Sequence, residues 1–264
     1  MASFGSSDDL RGATFRDVSL RDASFRGVSL RDARISDADL SHAVLRGVQV
    51  EGIEIDGPWL FDGDEPVLVN GVDIRPYVDA ELNTRFPGRE LRGADTPDGL
   101  RAAWVAVQGA WAAVFARVAT FPAGIVDRSV DGEWPFVRTL RHLVMATDVW
   151  LGRAILGGEH PYHPLGVPND EPGTEAYSAE AFDAAATPSY DEVLAVRAGR
   201  VAMVGDYLAT VTPEVLAEHR PNPHAPEYDE TVLHCLHTIL DEEWEHLRYA
   251  VRDLDALSAE ATSG

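Results

Sequence analysis

The chain has 264 residues, of which 45% are hydrophobic and 25% charged, values typical of a folded protein rather than a disordered one. Its formal net charge of -22 argues against non-specific nucleic-acid binding, because neutralising phosphates requires a basic surface. A single cysteine, Cys235, excludes an intramolecular disulfide framework. We see no export signal and no apolar run long enough to cross a membrane, so the sequence predicts a cytoplasmic protein without a membrane partner.

A five-residue repeat opens the chain. A large apolar residue recurs at every fifth position, and from the second repeat onward a further apolar residue, from Ala13 to Ile53, lies two positions before it; the large residues are Leu10, Phe15, Leu20, Phe25, Leu30, Ile35, Leu40, Leu45, Val50 and Ile55. A period of five fits neither a helix nor a flat strand, but it fits a quadrilateral β-solenoid whose large residues point into the bore. The pattern resembles the pentapeptide-repeat family. Residues twenty apart should then stack in successive coils.

The charge of this segment is close to balanced. It contains ten acidic residues and seven arginines, whereas the remainder of the chain is strongly acidic. A segment so short and so nearly neutral is a poor imitation of DNA, a role considered for some longer pentapeptide-repeat proteins. We expect it to be a packed cap or a surface for a partner, either a protein or a second copy of the chain.

Turn residues mark the stretch that follows, residues 58–95. Within it, Asn70-Gly71 lies between two short apolar runs and predicts a hairpin with a type I′ turn. We expect a structured bridge rather than a loose linker.

Helical periodicity begins after Thr96-Pro97, a plausible N-cap followed by a first-turn proline. We expect one helix to about Thr120, a second from Pro135 to Gly157, a third after the capping box of Ser189 and Glu192, and a fourth over about 230–257. A long loop, Gly157 to Thr187, should form a lid or a binding wall. Four helices with one long crossover predict a four-helix bundle, a fold that builds metal sites from facing helices.

The sequence Asp241-Glu242-Glu243-Trp244-Glu245-His246 carries the strongest chemical signal. On a helix, Glu242 and His246 lie one turn apart and border the apolar face, whereas His237 points away from it. A carboxylate beside the core must be paired or must bind a cation. From the residues alone, a metal site and a solvated, salt-bridged helix end balanced by Arg248 and Arg252 are equally good interpretations.

A family resemblance favours the metal site. Leu140-Arg141-His142-Leu143 on the second helix, followed far downstream by Glu242 and His246, resembles the DinB-like superfamily. In that superfamily a histidine of the second helix joins two ligands, four residues apart, on the last helix. Glutamate at the first of these positions is similar to the mycothiol-dependent maleylpyruvate isomerases. The resemblance covers about residues 96–257 and implies a metal site of His142, Glu242 and His246.

Three protein ligands leave a coordination position open, as in catalytic zinc sites. We expect a divalent ion, with zinc first and nickel, iron or manganese as alternatives, because the donor set does not select among them. The resemblance implies a low-molecular-weight thiol as cosubstrate and a small electrophilic substrate. Glu243 could be a general base or accept a hydrogen bond from a ligand, but a salt-bridge partner in the core is at least as good an interpretation.

Other titratable residues are weaker candidates. Cys235 should be a small buried hydrophobe rather than a ligand. His160 and His163 should line the mouth of the pocket, and His219 and His224 should be exposed.

Taken together, the sequence predicts an α+β multidomain protein: a short right-handed quadrilateral β-solenoid followed by an all-α, DinB-like four-helix bundle. We place the solenoid at residues 8–57, the bridge at 58–95, the bundle at 96–258 and a disordered tail at 259–264. The function expected first is that of a metal- and thiol-dependent isomerase or transferase. The alternatives are a non-catalytic metal-binding scaffold and a bundle that has lost its metal and serves as an interaction module.

Overall fold

A computed structural model describes residues 4–5, 8–36, 38–61, 63, 65–168, 182–183 and 186–263. The chain divides into two compact units, Met1–Gln49 and Val50–Gly264. The predicted loop Gly157 to Thr187 lies partly outside the described residues.

The first unit repeats a turn every ten residues. The backbone N–H groups of Ala13, Ala23, Ala33 and Ala43 each donate to the carbonyl three residues earlier, at 3.0–3.1 Å. The third residue of each turn has a left-handed backbone, and these residues are Gly12, Asp22, Asp32 and His42. Glycine and aspartate tolerate this conformation better than most residues, which explains their recurrence at the turns. Left-handed residues also occur midway between these turns, at Asp17, Gly27 and Gly47. The backbone therefore follows the five-residue period, and the hydrogen-bonded turn recurs at every second repeat.

The predicted solenoid is not seen. The described residues of the first unit contain no β-strand, and the eight large residues predicted to fill the bore, from Leu10 to Leu45, are 44–63% exposed. A coil requires contacts between backbones twenty residues apart, but the backbone hydrogen bonds described in this unit all close local turns. The structure therefore does not show these side chains in a closed core, and the solenoid stays a prediction.

The bridge contains the predicted hairpin and a helix that the sequence did not predict. Strands β1 (Leu68–Val69) and β2 (Val72–Asp73) pair antiparallel around Asn70 and Gly71. Both turn residues have positive φ angles, 50° and 82°, as a type I′ turn requires. Helix α1 (Arg75–Arg85) follows directly and begins with a proline in its first turn.

Ion pairs join the bridge to the last helix. The buried guanidinium of Arg89 contacts Asp79 on α1 at 2.8 Å and Glu245 at 3.7 Å. Arg92 contacts Asp79 at 2.8 Å and Asp241 at 3.1 Å. The bridge is thus part of the helical unit rather than a linker.

The helical unit is built from four long helices, and the predicted caps are confirmed. Thr96 accepts from the N–H of Gly99, and Ser189 forms a reciprocal capping box with Glu192. The long helices are α2 (Pro97–Val118), α3 (Phe136–Thr147), α4 (Tyr190–Thr210) and α6 (Val232–Ser263). α3 continues as a π-helix over Asp148–Ile155.

Shorter elements connect the last two long helices. Helix α5 (Pro213–Leu216) is followed by strands β3 (His219–Pro221) and β4 (Asp229–Thr231), which form an antiparallel hairpin before α6. α6 extends beyond its predicted end, so the tail predicted to be disordered is helical up to Ser263. None of the helices described is both long and apolar enough to cross a membrane.

The four long helices surround one apolar core. α2 and α3 each pack against both α4 and α6, so α4 and α6 lie diagonally opposite each other. The core includes the largest fully buried apolar side chains, which are Trp111, Trp244, Leu100, Leu140, Leu143, Leu151 and Leu247.

One ion pair crosses this core. Arg197 on α4 donates to both carboxylate oxygens of Glu243 on α6, and the two residues are only 3% and 1% exposed. Burial raises the pKa of Glu243, and the charge of Arg197 opposes that effect without cancelling it. The buried charge of Arg197 and that of Glu243 therefore balance each other.

We expect Arg197→Ala to lower the free energy of unfolding by about 3–5 kcal/mol, because it leaves the Glu243 carboxyl buried without a partner. Replacing both residues, Arg197→Met with Glu243→Leu, should recover most of that loss. Arg85→Ala, which removes an exposed pair with Glu81, should change the free energy by less than about 1 kcal/mol. Urea unfolding followed by circular dichroism measures all three. Equal losses for Arg197→Ala and Arg85→Ala would contradict the assignment.

Candidate metal centre

Three predicted ligands converge between α3 and α6. Because they are four residues apart on α6, Glu242 and His246 project from the same face of the helix, and His142 projects toward them from α3. The Nε2 atom of His142 lies 3.3 Å from Oε2 of Glu242, and Nδ1 of His246 lies 3.2 Å from the same oxygen. One potential ligand atom from each residue lies within 4.8 Å of the other two. The two imidazole rings stack with centroids 4.6 Å apart.

Backbone carbonyls fix the protons of both imidazoles. Nδ1 of His142 lies 3.2 Å from the carbonyl oxygen of Val167, and Nδ1 of His246 lies 2.9 Å from the carbonyl oxygen of Glu242. A carbonyl oxygen can only accept, so both Nδ1 atoms carry hydrogen. The Nε2 lone pair of each neutral ring is then free, which is the arrangement usual for metal-binding histidines.

This arrangement fits a bound cation. In the neutral ring, the Nε2 lone pair of His142 faces the lone pairs of Glu242 at 3.3 Å, so either a second proton on the ring or a cation must lie between them. Two ligands of a tetrahedral ion with bonds of about 2.0–2.1 Å lie about 3.3 Å apart.

Electrostatics keep the carboxylate of Glu242 charged. Burial by itself would raise the pKa of Glu242, but hydrogen bonds and charge interactions with His142 and His246 outweigh it and hold the pKa far below its usual value. For His246, burial lowers the pKa, yet the neighbouring Glu242 carboxylate more than compensates and the net shift is upward. The centre therefore offers a cation one permanent negative charge and two imidazoles.

Aromatic rings cover the two histidines. The Trp134 ring lies 5.2 Å from that of His142, and Tyr249 meets the edge of His246 at 6.0 Å. Arg248 and Arg252 lie 4.5 and 4.9 Å from the centroid of the Tyr249 ring. The two histidines are 5% and 9% exposed, and this limited contact with water strengthens charge interactions at the centre.

Two arginines near Tyr249 share one carboxylate and each pairs with a second, Arg248 with Glu245 and Arg252 with Asp253. Asp56 lies 2.6 Å from Nη1 of Arg248 and 2.9 Å from Nη1 of Arg252. The predicted role of these arginines, balancing a solvated Glu242 and its acidic neighbours, is thus only partly met. Arg248 does contact Glu245, at 2.9 Å.

The remaining candidates lie outside the three-residue cluster. Glu243 pairs with Arg197, which favours the salt-bridge interpretation; its role as a general base stays a prediction. Cys235 is fully buried, and burial raises the pKa of its thiol to about 11, as expected of an inert core cysteine. Nε2 of His237 donates to the carbonyl oxygen of Ala94 at 2.8 Å, because a carbonyl oxygen can only accept.

The histidines outside the last helix occupy varied positions. His160, His219 and His224 are exposed, and the His224 ring lies 5.3 Å from that of Trp150. His163 is half-buried: its backbone N–H donates to Asp148 and its Nδ1 accepts from the N–H of Leu165.

Sequence reasoning missed the groups that support the ligands. These are the carbonyl of Val167, the ring of Trp134 and the guanidinium of Arg141, which binds three backbone carbonyls. The signal available was the adjacency of Arg141 to His142 together with the long loop that follows. A carbonyl contact has no residue-type signature, so the sequence could not have identified Val167.

Comparison with protein families agrees with this geometry. A family model described as the DinB superfamily matches residues 79–250, which include all three ligands. The chain belongs to the DinB superfamily. Its N-terminal residues 9–47 match eight copies of the pentapeptide repeat. No curated protein and no solved structure gives a significant match to this DinB-superfamily chain.

We expect His142→Ala and His246→Ala each to weaken binding of a divalent ion by more than about 100-fold, exceeding the effect typical of residues that only support a ligand. Helical content should stay unchanged, because the ligands lie on an already packed bundle. The matched control is His234→Ala, because His234 is an exposed histidine about two turns before Glu242 on α6. This variant should bind the metal ion as tightly as the unaltered protein does. Elemental analysis after dialysis, with circular dichroism, tests this. Retention of a full equivalent of metal by both ligand variants would contradict the assignment.

Proposed function

We propose that this DinB-superfamily protein is a metal-dependent enzyme that presents a low-molecular-weight thiol, as its thiolate, to a small electrophile. The observation that carries the proposal is the cluster of His142, Glu242 and His246, with its ring protons held by carbonyls. Three protein ligands leave a position for an exogenous group, which distinguishes catalytic from structural sites. The similarity of the His, Glu, His set to the mycothiol-dependent maleylpyruvate isomerases supports the choice of thiol.

The ion, when bound, lowers the pKa of a coordinated thiol, so that the sulfur is a nucleophile at neutral pH. Zinc is our first choice, with nickel, iron or manganese as alternatives. The residues of the chain orient the two imidazoles, supply the single charge of Glu242 and exclude water through Trp134 and Tyr249. The Glu243 carboxyl lies next to Glu242, but its charge is compensated by Arg197, so the proposal assigns it no proton transfer.

The chemistry proposed involves no change in oxidation state. In an isomerisation, sulfur forms a bond to one carbon of an activated double bond, the π electrons move to the conjugated carbonyl, and both changes reverse after rotation. In a transfer, the carbon–sulfur bond persists, the leaving group departs with its electron pair, and the thiol proton goes to solvent. Both reactions need the same thiolate nucleophile and the same open coordination position on the metal ion.

The test is turnover with a panel of thiols and electrophiles, using protein loaded separately with zinc, nickel, iron or manganese. We expect product to form only when both the metal and a thiol are present, and His142→Ala to abolish it while His234→Ala does not. Metal-loaded protein that turns over nothing with any thiol would overturn the proposal. Turnover that persists without added thiol would overturn the role of sulfur.

A second candidate function rests on the repeat unit. Its large apolar residues from Leu10 to Leu45 are exposed, and a surface of this kind marks an interaction site. The first 57 residues carry only three more acids than arginines, so two copies can approach here with little repulsion. We propose that a second copy of the chain covers this surface, a role that fits the scaffold alternative.

We expect the protein to sediment as a dimer at micromolar concentration. Replacing Phe15, Phe25 and Ile35 with serine should shift it to monomer without altering the metal content of the bundle. Serine at three exposed apolar positions of the bundle unit, Leu68, Val105 and Leu156, is the control and should leave the dimer intact. A monomer at 100 μM, estimated to be well above the dissociation constant of such an interface, would contradict self-association.

A further inference from the structure

Arg141 immediately precedes the metal ligand His142, and its buried guanidinium binds backbone rather than a carboxylate. Nε donates to the carbonyl of Leu165 at 2.8 Å, Nη1 to that of Ala186 at 2.9 Å and Nη2 to that of Asp183 at 2.9 Å. Among the residues that the structure describes, no carboxylate oxygen accepts from it. Burying such a cation is unfavourable unless its donors form hydrogen bonds. Each of the three guanidinium nitrogens of Arg141 forms one.

These three carbonyls belong to two separate stretches of chain. Leu165 follows the π-helical continuation of α3, whereas Asp183 and Ala186 come shortly before α4 in the chain. The two stretches also meet directly, because the N–H of Asp183 donates to the carbonyl of Pro164 at 3.0 Å. Arg141 therefore fastens both stretches to α3 at one point.

The same stretch orients His142. Val167 lies two residues beyond Leu165, and its N–H donates to the backbone carbonyl of Arg141 at 3.3 Å. Its own carbonyl receives the Nδ1 proton of His142. The segment Leu165–Val167 is thus bound by the side chain of Arg141 at one end and by the backbone of Arg141 and the ring of His142 at the other.

We propose that Arg141 is a positioning residue of the metal centre. It fixes the segment Leu165–Val167 so that the Val167 carbonyl keeps the proton of His142 on Nδ1 and directs Nε2 toward Glu242. This inference rests on the metal site of the proposed function. Because coupling is reciprocal, a metal bound at His142 should also stabilise the segment.

The test compares two replacements with a matched control. Arg141→Met keeps the length of the side chain without any donor, and Arg141→Lys keeps the charge but cannot reach three separate carbonyls. The control is Arg153→Met, which removes an exposed arginine that donates to the single carbonyl of Gly158. Zinc affinity is measured by competition with a chromophoric chelator. We expect both Arg141 variants to bind zinc about tenfold or more weakly, and the control to change less than about twofold.

Hydrogen exchange supplies a readout that does not depend on activity. In the unaltered protein and in Arg153→Met, zinc should slow hydrogen exchange of the Val167 N–H. The reason is that zinc fixes the His142 ring, which is hydrogen-bonded to the Val167 carbonyl. In Arg141→Met that protection should be lost. A role confined to general stability would lower protection throughout the bundle, both with and without zinc.

The outcomes separate this inference from the function on which it depends. If the unaltered protein binds no zinc, nickel, iron or manganese, the proposed function fails. If it binds zinc and a folded Arg141→Met variant binds equally tightly with the same protection, the positioning role is overturned. Should Arg141→Met not fold, Arg141→Lys decides by the same two measurements. Loss of folding in both variants would assign Arg141 to stability and likewise overturn the proposal.

Discussion

The proximity of an ionised carboxylate and two imidazoles inside the bundle is the constraint on which the candidate centre depends. Glu242 stays charged despite its burial because His142 and His246 face it. Both rings direct their Nδ1 atoms to backbone carbonyls, so a neutral His142 ring would set its Nε2 lone pair against the carboxylate, and a second proton or a cation must separate the two. A cation between them resolves this conflict, and the spacing of 3.3 Å agrees with one.

Other buried acids of the bundle are paired with arginines. Glu243 is neutralised by Arg197 across the core, and Asp148 by Arg200 with bonds of 2.9 and 3.0 Å. Removing one partner of such a pair leaves an uncompensated buried charge, which explains why each acid has its own arginine. The acidic residues that give the chain its net charge are therefore not all on its surface. Several acids have structural roles, and Glu242 is distinguished by having imidazoles in place of a guanidinium.

Much of the helical unit could be predicted from the sequence because its signals are local. The caps at Thr96 and Ser189 and the turn at Asn70 follow from short-range chemistry, and the spacing of Glu242 and His246 follows from helix geometry. The convergence with His142 came from family resemblance, since periodicity alone does not say which distant helix faces α6.

Other features could not be predicted because their causes are not local. Helix α1 has no buried residue, so it lacks an apolar stripe, and Pro76 suggested a turn where it begins a helix. Leu165 and Val167 act through their carbonyls, which every residue type shares. The spacing of apolar residues in the repeat predicts that turns recur at a fixed period. It does not predict how the repeats pack, because stacking depends on contacts between residues twenty apart. The partner of Glu243 lies on the diagonally opposite helix, so only the general expectation of a salt bridge was available.

X-ray absorption of the zinc-loaded protein tests the central claim most directly, because it reports the atoms bound to the ion. We predict one zinc per chain with about four nitrogen and oxygen neighbours at about 2.0–2.1 Å, two of them imidazoles. Adding a low-molecular-weight thiol should introduce one sulfur at about 2.3 Å. A sulfur neighbour before any thiol is added, or a shell containing fewer than two imidazoles, would contradict a centre built from His142, Glu242 and His246.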